Sequence, residues 1–423
     1  MTVQVVLAGS IFIAIYGLII SEKVNRAAAA VFGGALMVLL GVVSESNVID
    51  FIDFGTIGLL IGMMVIVNIM KKTGIFEYMA IRAAQKAKAE PWMIMVLFSI
   101  ITALASALLD NVTTILLIAP VTFVITETLK INPYPYIIVE VMMANIGGTA
   151  TLIGDPPNIM IGSANGLGFV DFITNLGPVV AVIIVVTLLI VKFTVGKKLH
   201  VTQENKQKIM AMDNTHTIKD RKLLIKSVLI LVITVLGFIF HSALHLESAT
   251  VALSGAAILL FISGLDPEDI FMEIEWTTIF FFISLFVLVG GLQEAGIINM
   301  FAEVILNATH GNVFWTVMSL LWASALLSAF LDNIPFVATM IPLIQSMGQI
   351  SGMDTTPLWW ALALGACLGG NGTMIGASAN VVACGMLERK NHKVNFFEYM
   401  KLAFPLMIVS IVISTIYLGL FYV

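Results

Sequence analysis

The 423-residue sequence predicts an all-α polytopic membrane protein: two inverted-topology repeats, about ten spans, two re-entrant hairpins and two broken helices. Composition is the first reason. The chain is 59% hydrophobic and 11% charged, with a mean hydropathy of +1.03, more apolar surface than a soluble domain can bury. The apolar runs are the second, since at about 17–22 residues they match spanning helices and not the ten-residue alternation of a membrane barrel. The third is an internal repeat. SALLDNVTTILLIAP (106–120) and NIGGTATLIGDPPN (145–158) return as SAFLDNIPFVATMIP (328–342) and CLGGNGTMIGASAN (367–380). Asp110 matches Asp332, Pro120 matches Pro342, Gly147 matches Gly369 and Asn158 matches Asn380, always 222 residues apart.

Taken in order, the spans fall at 3–20, 27–43, 56–70, 134–166 (broken), 177–196, 222–241, 248–264, 276–292, 357–388 (broken) and 403–422. Residues 91–127 and 312–350 are too long for one span, and each is interrupted near its middle by Leu-Asp-Asn, which predicts a hairpin that enters and leaves on one face. Residues 75–88 and 297–309 read as short interfacial helices. Repeat one covers 1–196 and repeat two 222–423; the polar, basic segment 197–221 between them is too short for a domain. The offset of 222 also pairs Gly33 with Gly255, Thr56 with Thr278 and Gly74 with Gly296. Five full spans per repeat is an odd number, so the second repeat is inverted relative to the first.

Charge fixes the expected orientation. With both termini outside, the inside loops hold all 21 Lys and Arg, from Lys23 and Arg26 to Lys393 and Lys401. The outside loops hold Glu45, Asp50, Asp53, Asp171, Glu247, Glu294, Glu303 and Asp354. The acidic loop from Asp266 to Glu275 dissents, being placed inside.

Gly, Pro, Asn and Asp interrupt apolar helices at corresponding points of both halves, the best sequence pointer to a substrate or ion site in a membrane chain. Freed N–H groups at half-helix starts favour anions and freed carbonyls favour cations. Asp110 and Asp332 are read both as N-caps of the second hairpin arms and as ion- or proton-handling groups, because an intramembrane carboxylate costs roughly 2.5–3.5 kcal/mol or more. Asp155, before Pro156 and Pro157, is read as another N-cap; its counterpart Ala377 carries no charge, and the asymmetry favours function. Glu140, opposite Leu362, is a further coupling candidate. Asn111, Thr113, Asn145, Thr149, Thr151 and Asn158, with Asn333, Asn371, Thr373 and Asn380, offer neutral oxygens and amides. Such groups also simply satisfy backbone. Gly147, Gly148, Gly369 and Gly370 permit close approach or unwinding.

Several classes are set aside. No nucleotide-binding motif is present, so ATP-driven pumping within this chain is excluded. No Ser/His/Asp set or cofactor motif suggests an enzyme, and no cofactor is expected beyond Na+ or H+ as coupling ion. Cys367 and Cys384 lie in apolar helix without metal spacing. His241, His245 and Glu247 read as interfacial polar residues. The basic linker suits orientation and anionic lipid, not nucleic acid.

In LDNVTT, NIGGTATLIGDPPN, SAFLDNIPF and ALGACLGGNGTMIGASANVV the chain resembles the ion transporter superfamily, over essentially its whole length. Within it the resemblance is to the ArsB/NhaD branch, which includes the melanosomal P protein (the oculocutaneous albinism protein) and its bacterial relatives. The resemblance implies a homodimer in a prokaryotic plasma (inner) membrane, working as an elevator in which a transport domain carries the site past a fixed scaffold. Related dicarboxylate transporters have Ser-Asn-Thr tips that bind sodium and carboxylate; Leu-Asp-Asn at both tips departs from them, since added carboxylates repel a dianion. The resulting expectation is a proton- or sodium-coupled secondary transporter of a small ion or weak-acid solute, by cation/proton exchange or arsenite-like efflux. The alternatives are an anion channel and a sodium-coupled dicarboxylate/citrate-type transporter.

Overall fold

The computed structural model describes residues 3–21, 23–196, 201–212 and 217–423, and every regular element among them is helical. Repeat one runs α1 (Val3–Ser21), α2 (Arg26–Leu39), α3 (Val48–Phe51), α4 (Phe54–Lys72), α5 (Ile75–Lys86), α6 (Pro91–Ser106), α7 (Asn111–Leu129), α8 (Tyr134–Gly148), α9 (Pro156–Asn165), α10 (Phe169–Asn175) and α11 (Gly177–Thr194). The linker contributes α12 (Gln203–Met210). Repeat two runs α13 (Arg221–Leu244), α14 (Ser248–Ser263), α15 (Pro267–Met272), α16 (Trp276–Glu294), α17 (Ile297–Ala308), α18 (Val313–Ser328), α19 (Asn333–Ser351), α20 (Thr356–Gly369), α21 (Ser378–Arg389) and α22 (Phe396–Phe421).

The repeat is exact in the backbone. Shifted by 222, the bounds of α4, α5, α6 and α7 become those of α16, α17, α18 and α19 residue for residue. The halves differ near their ends. Gly177-Pro178 starts a new helix after α10, whereas Pro405 is accommodated inside the 26-residue α22.

Two bundles form. The first pairs α4 with α14 and α2 with α16, flanked by α1 and α13, so each half supplies what the other lacks. Small residues allow this approach: a Cβ on Gly62 would lie 2.6 Å from the Ala252 carbonyl carbon. The second bundle holds both hairpins (α6–α7, α18–α19), both broken helices (α8–α9, α20–α21) and the helices that follow them. Seven described helices are long and apolar enough to cross a membrane, and one of these is the hairpin arm α7. The expected spans at 27–43 and 248–264 become helices of 14 and 16 residues, shorter than the about 20 residues of an upright span. The 27–43 span ends early because the chain turns at Leu40–Gly41, where Gly41 takes a positive φ.

Polar contacts join the loops assigned to the basic end. Lys390 pairs with Glu127 at 2.9 Å, Lys206 pairs with Glu90, and Asn205 Nδ2 donates to the Leu129 carbonyl at 3.1 Å. In the acidic loop, Glu273 pairs with Lys72 at the end of α4.

Candidate functional site

Each hairpin tip is a helix start, and one residue makes the two tips differ. Asp110 caps α7: its Oδ1 accepts from the Thr113 N–H at 2.8 Å and its Oδ2 from the Thr113 hydroxyl at 2.5 Å. The repeat mate of Thr113 is Pro335, which has neither donor. Asp332 therefore caps through Oδ1 alone, accepting from the Ile334 N–H at 3.1 Å. Its Oδ2 is released to the Arg26 guanidinium at 2.6 Å and the Ser378 hydroxyl at 2.8 Å.

Asp155 lies outside its expected role. It occupies the N-cap position of α9, yet its side chain makes no cap bond. The reason is local: Pro156 and Pro157 carry no N–H, and the Asn158 N–H is taken by the Asp155 carbonyl at 2.9 Å. The fully buried carboxylate instead accepts from Asn333 Nδ2 of the opposite tip, at 3.3 and 3.4 Å.

Behind the carboxylates the asparagines form a buried network. Asn111 Nδ2 donates to Asn145 Oδ1, and Asn145 Nδ2 donates to both Asn371 Oδ1 and Asn380 Oδ1, each at 2.9 Å. Asn158 and Asn380 hold the two unwound segments: Asn158 Nδ2 donates to the carbonyls of Gly148, Thr149 and Thr151, and Asn380 Nδ2 to those of Gly370 and Thr373. The threonine hydroxyls serve backbone. Thr151 and Thr373, themselves mates, donate to the carbonyls of Ala107 and Ala329 at 2.5 Å, and Thr149 donates to that of Asn145 at 2.7 Å. Gly147 and Gly369 are contact points, for a Cβ there would lie 2.1 Å from the Ala103 oxygen and 2.5 Å from the Ala325 oxygen. Gly148 and Gly370 abut Gly154 and Gly376 across the unwound segments.

Glu140 stands apart from this junction. It is buried between α8 and α7, accepts from the Thr122 hydroxyl at 2.8 Å, and its second oxygen has no hydrogen-bond partner among the described residues.

Two cavities meet the tips. A small one of about 20 Å³ is lined by Asp110, Asn111, Asp155 and Asn333 with Arg26 and Glu275. A larger one of about 510 Å³ separates the bundles at the Arg26 end and is lined by Tyr16, Arg26, Glu275, Asp332 and Ser378 among apolar residues. Repeat mates differ in exposure along the wall of the larger cavity. Val381 on the wall of the larger cavity is 43% exposed, while its mate Ile159 is 2% exposed; Leu116 is 41% exposed and its mate Ala338 4%. At these two positions the equivalent surfaces of the halves are unequally exposed.

The sequence profile of the citrate transporter family, CitMHS, matches residues 16–365. The chain belongs to that family. An uncharacterized transporter of Mycobacterium bovis is 42% identical over 99% of this chain and 98% of its own length. A 46 kDa membrane protein of Mycobacterium leprae is 41% identical over 99% of both chains. The human P protein is 33% identical over 98% of this chain, which spans 60% of that relative. The crystal structure of the YdaH transporter of Alcanivorax borkumensis shares the fold, with a TM-score of 0.62 at 12% identity over 89% of this chain and 87% of that one. The protein is thus an integral membrane transporter of the citrate transporter family and not an enzyme.

Three lining residues escape a search for broken helices. Arg26 counts in sequence only as a loop charge, and Ser378 is one residue of the second Gly-rich stretch. Glu275 belongs to the dissenting acidic loop. Its mate was legible: Asp53 accepts from the Thr56 hydroxyl at 2.6 Å, as Glu275 accepts from that of Thr278 at 3.1 Å.

Proposed function

We propose that this member of the citrate transporter family is a proton- or sodium-coupled secondary transporter of elevator type, moving a small ion or weak-acid solute, with cation/proton exchange as the favoured form. One observation carries the reading. Asp110, Asp155 and Asp332 converge where both tips meet both unwound segments, and Arg26 is the one cation among the described lining residues. Carboxylates in such a site hold either a proton or a metal cation, which is the minimum needed to couple two fluxes. The same charges disfavour a bare di- or tricarboxylate as cargo, despite the family's name, because the arginine that could hold it is engaged with Asp332. The division into two bundles and the unequal exposure of repeat mates support the elevator motion.

The test is flux into liposomes of purified protein, with pH and sodium gradients imposed separately against a panel of monovalent cations, arsenite and carboxylates. Saturable exchange of a cation or neutral hydroxide driven by either gradient supports the reading. Non-saturating anion conductance would replace it with a channel, and sodium-driven citrate uptake with a carboxylate carrier.

A further inference from the structure

Arg26 sits where the bundles meet, and several features hold it there. It is the first helical residue of α2, following the Asn25 cap, whose side chain accepts from the Ala27 and Ala28 N–H groups. Its guanidinium carbon lies 5.4 Å from the centroid of the Phe281 ring on α16, in the same bundle. From this seat it donates across to the other bundle, to Asp332 at 2.6 Å and to the Ser378 hydroxyl. The pair borders the 510 Å³ cavity.

The repeat has no second arginine. The mate of Arg26 is Ser248, that of Asn25 is Glu247, that of Ser378 is Pro156, and that of Glu275 is Asp53. Those residues are in place. A crevice of about 480 Å³ at the opposite end is lined by Asp53, Glu247 and Ser248, with Ile159 on its wall. It is the counterpart of the Arg26 cavity. When inverted repeats exchange conformations, each residue takes up the surroundings of its mate. Asp110 would then face Ser248, Glu247 and Asp53, with His241 on the crevice wall, where Asp332 now meets a guanidinium beside Glu275.

We infer that Arg26 is a tethered counter-cation for the transport site, positioned to occupy Asp332 only while the site opens toward the Arg26 end. It stands in for a transported or coupling cation there and selects which face the unloaded carrier presents. Without cargo, the Arg26-facing state has its tip carboxylate compensated and the opposite state does not. A cation or proton arriving from the Arg26 side displaces the guanidinium, and one is required on the opposite side to compensate Asp110. The inference rests on the elevator reading, because it needs the bundles to move past each other.

The experiment uses the full chain in membrane vesicles, with single cysteines at Val381 or Ile159 and an impermeant maleimide applied from either side. The unsubstituted protein, whose Cys367 and Cys384 are buried, is the blank. Reaction at Val381→Cys from the Arg26 side reports the present state, and reaction at Ile159→Cys from the other side reports the exchanged one. We expect Arg26→Gln to raise the ratio of Ile159→Cys to Val381→Cys labelling by about fivefold or more, the scale of an ordinary conformational coupling. Arg26→Lys keeps the charge and retains most of the original ratio. Asp332→Asn alone produces the same shift as Arg26→Gln, and the two together add nothing further, which a purely structural role for Arg26 does not predict. If Asp332→Asn shifts the ratio and Arg26→Gln leaves it unchanged, the counter-cation role is overturned while domain movement stands. If no variant makes Ile159→Cys reactive, both are overturned.

Discussion

The Asn145 amide donates to Asn380 Oδ1 at 2.9 Å, tying the broken helix of the first half to that of the second. The repeat mate of Asn145 is Cys367, and its sulfur lies 3.5 Å from Asn158 Oδ1, the mate of the first contact. The two contacts cross between halves, so the unwound segments are fixed against each other and not only within their own repeat. Asn145→Leu would leave Asn111 Nδ2, Asn371 Oδ1 and Asn380 Oδ1 without the Asn145 partner each now has, at about 1–3 kcal/mol apiece. The expected loss is about 3 kcal/mol or more, read as a lowered thermal midpoint of the detergent-purified protein. An unchanged midpoint would remove the network from the account of stability.

Backbone contact predicts a second pair of effects. Gly147→Ala and Gly369→Ala each push a methyl into the carbonyl of the facing hairpin arm, at Ala103 and Ala325. Backbone cannot swing aside as a flexible side chain does, so both variants should lose at least the about 1–3 kcal/mol typical of overpacking. Gly17→Ala is the control, having nothing within 4 Å of the added carbon. The same thermal measurement checks all three.

The tips should respond unequally to truncation. Asp110 makes two cap bonds to Thr113, while Asp332 makes one, to Ile334. Asp110→Ala should therefore cost the helix cap about 0.5–2 kcal/mol, and Asp110→Asn much less, since Asn caps nearly as well. Comparable midpoints for the Ala and Asn variants would contradict the cap.

For Asp155 the expected outcome is intermediate. Asp155→Asn should slow coupled flux less than Asn at either tip, because the second half works with Ala377 at that position. A complete loss of flux in Asp155→Asn, with the tip variants only impaired, would move the centre of the site to Asp155.

The expected orientation is checked by cysteines at 206 and 354. The first should react only from inside and the second only from outside, following the segregation of Lys and Arg. Reaction with the sides exchanged would invert the topology.

Much of the fold is visible in the sequence because it is written twice. The same breaks at an offset of 222 locate both hairpins and both broken helices, and the backbone bounds of α4–α7 and α16–α19 repeat that offset without drift. What eluded the sequence lies between the repeats. Arg26 and Asp332 are 306 residues apart, as are no motif partners, and the pairing depends on two bundles closing against each other. The cap reading of Asp155 failed for a local reason, because two consecutive prolines remove the donors a cap requires. The consequence of Pro335 at the position matching Thr113, a freed Asp332 oxygen, emerges only when Arg26 and Ser378 stand opposite it.

The central claim is that the two tip carboxylates carry the coupling, and gradient-driven flux of the Asp110→Asn, Asp332→Asn double variant in liposomes tests it most directly. The account predicts that coupled transport is abolished while the protein still folds, since Asn preserves both caps even though the Arg26–Asp332 pair is lost. Full coupled transport by the double variant would reduce both residues to helix caps and contradict it.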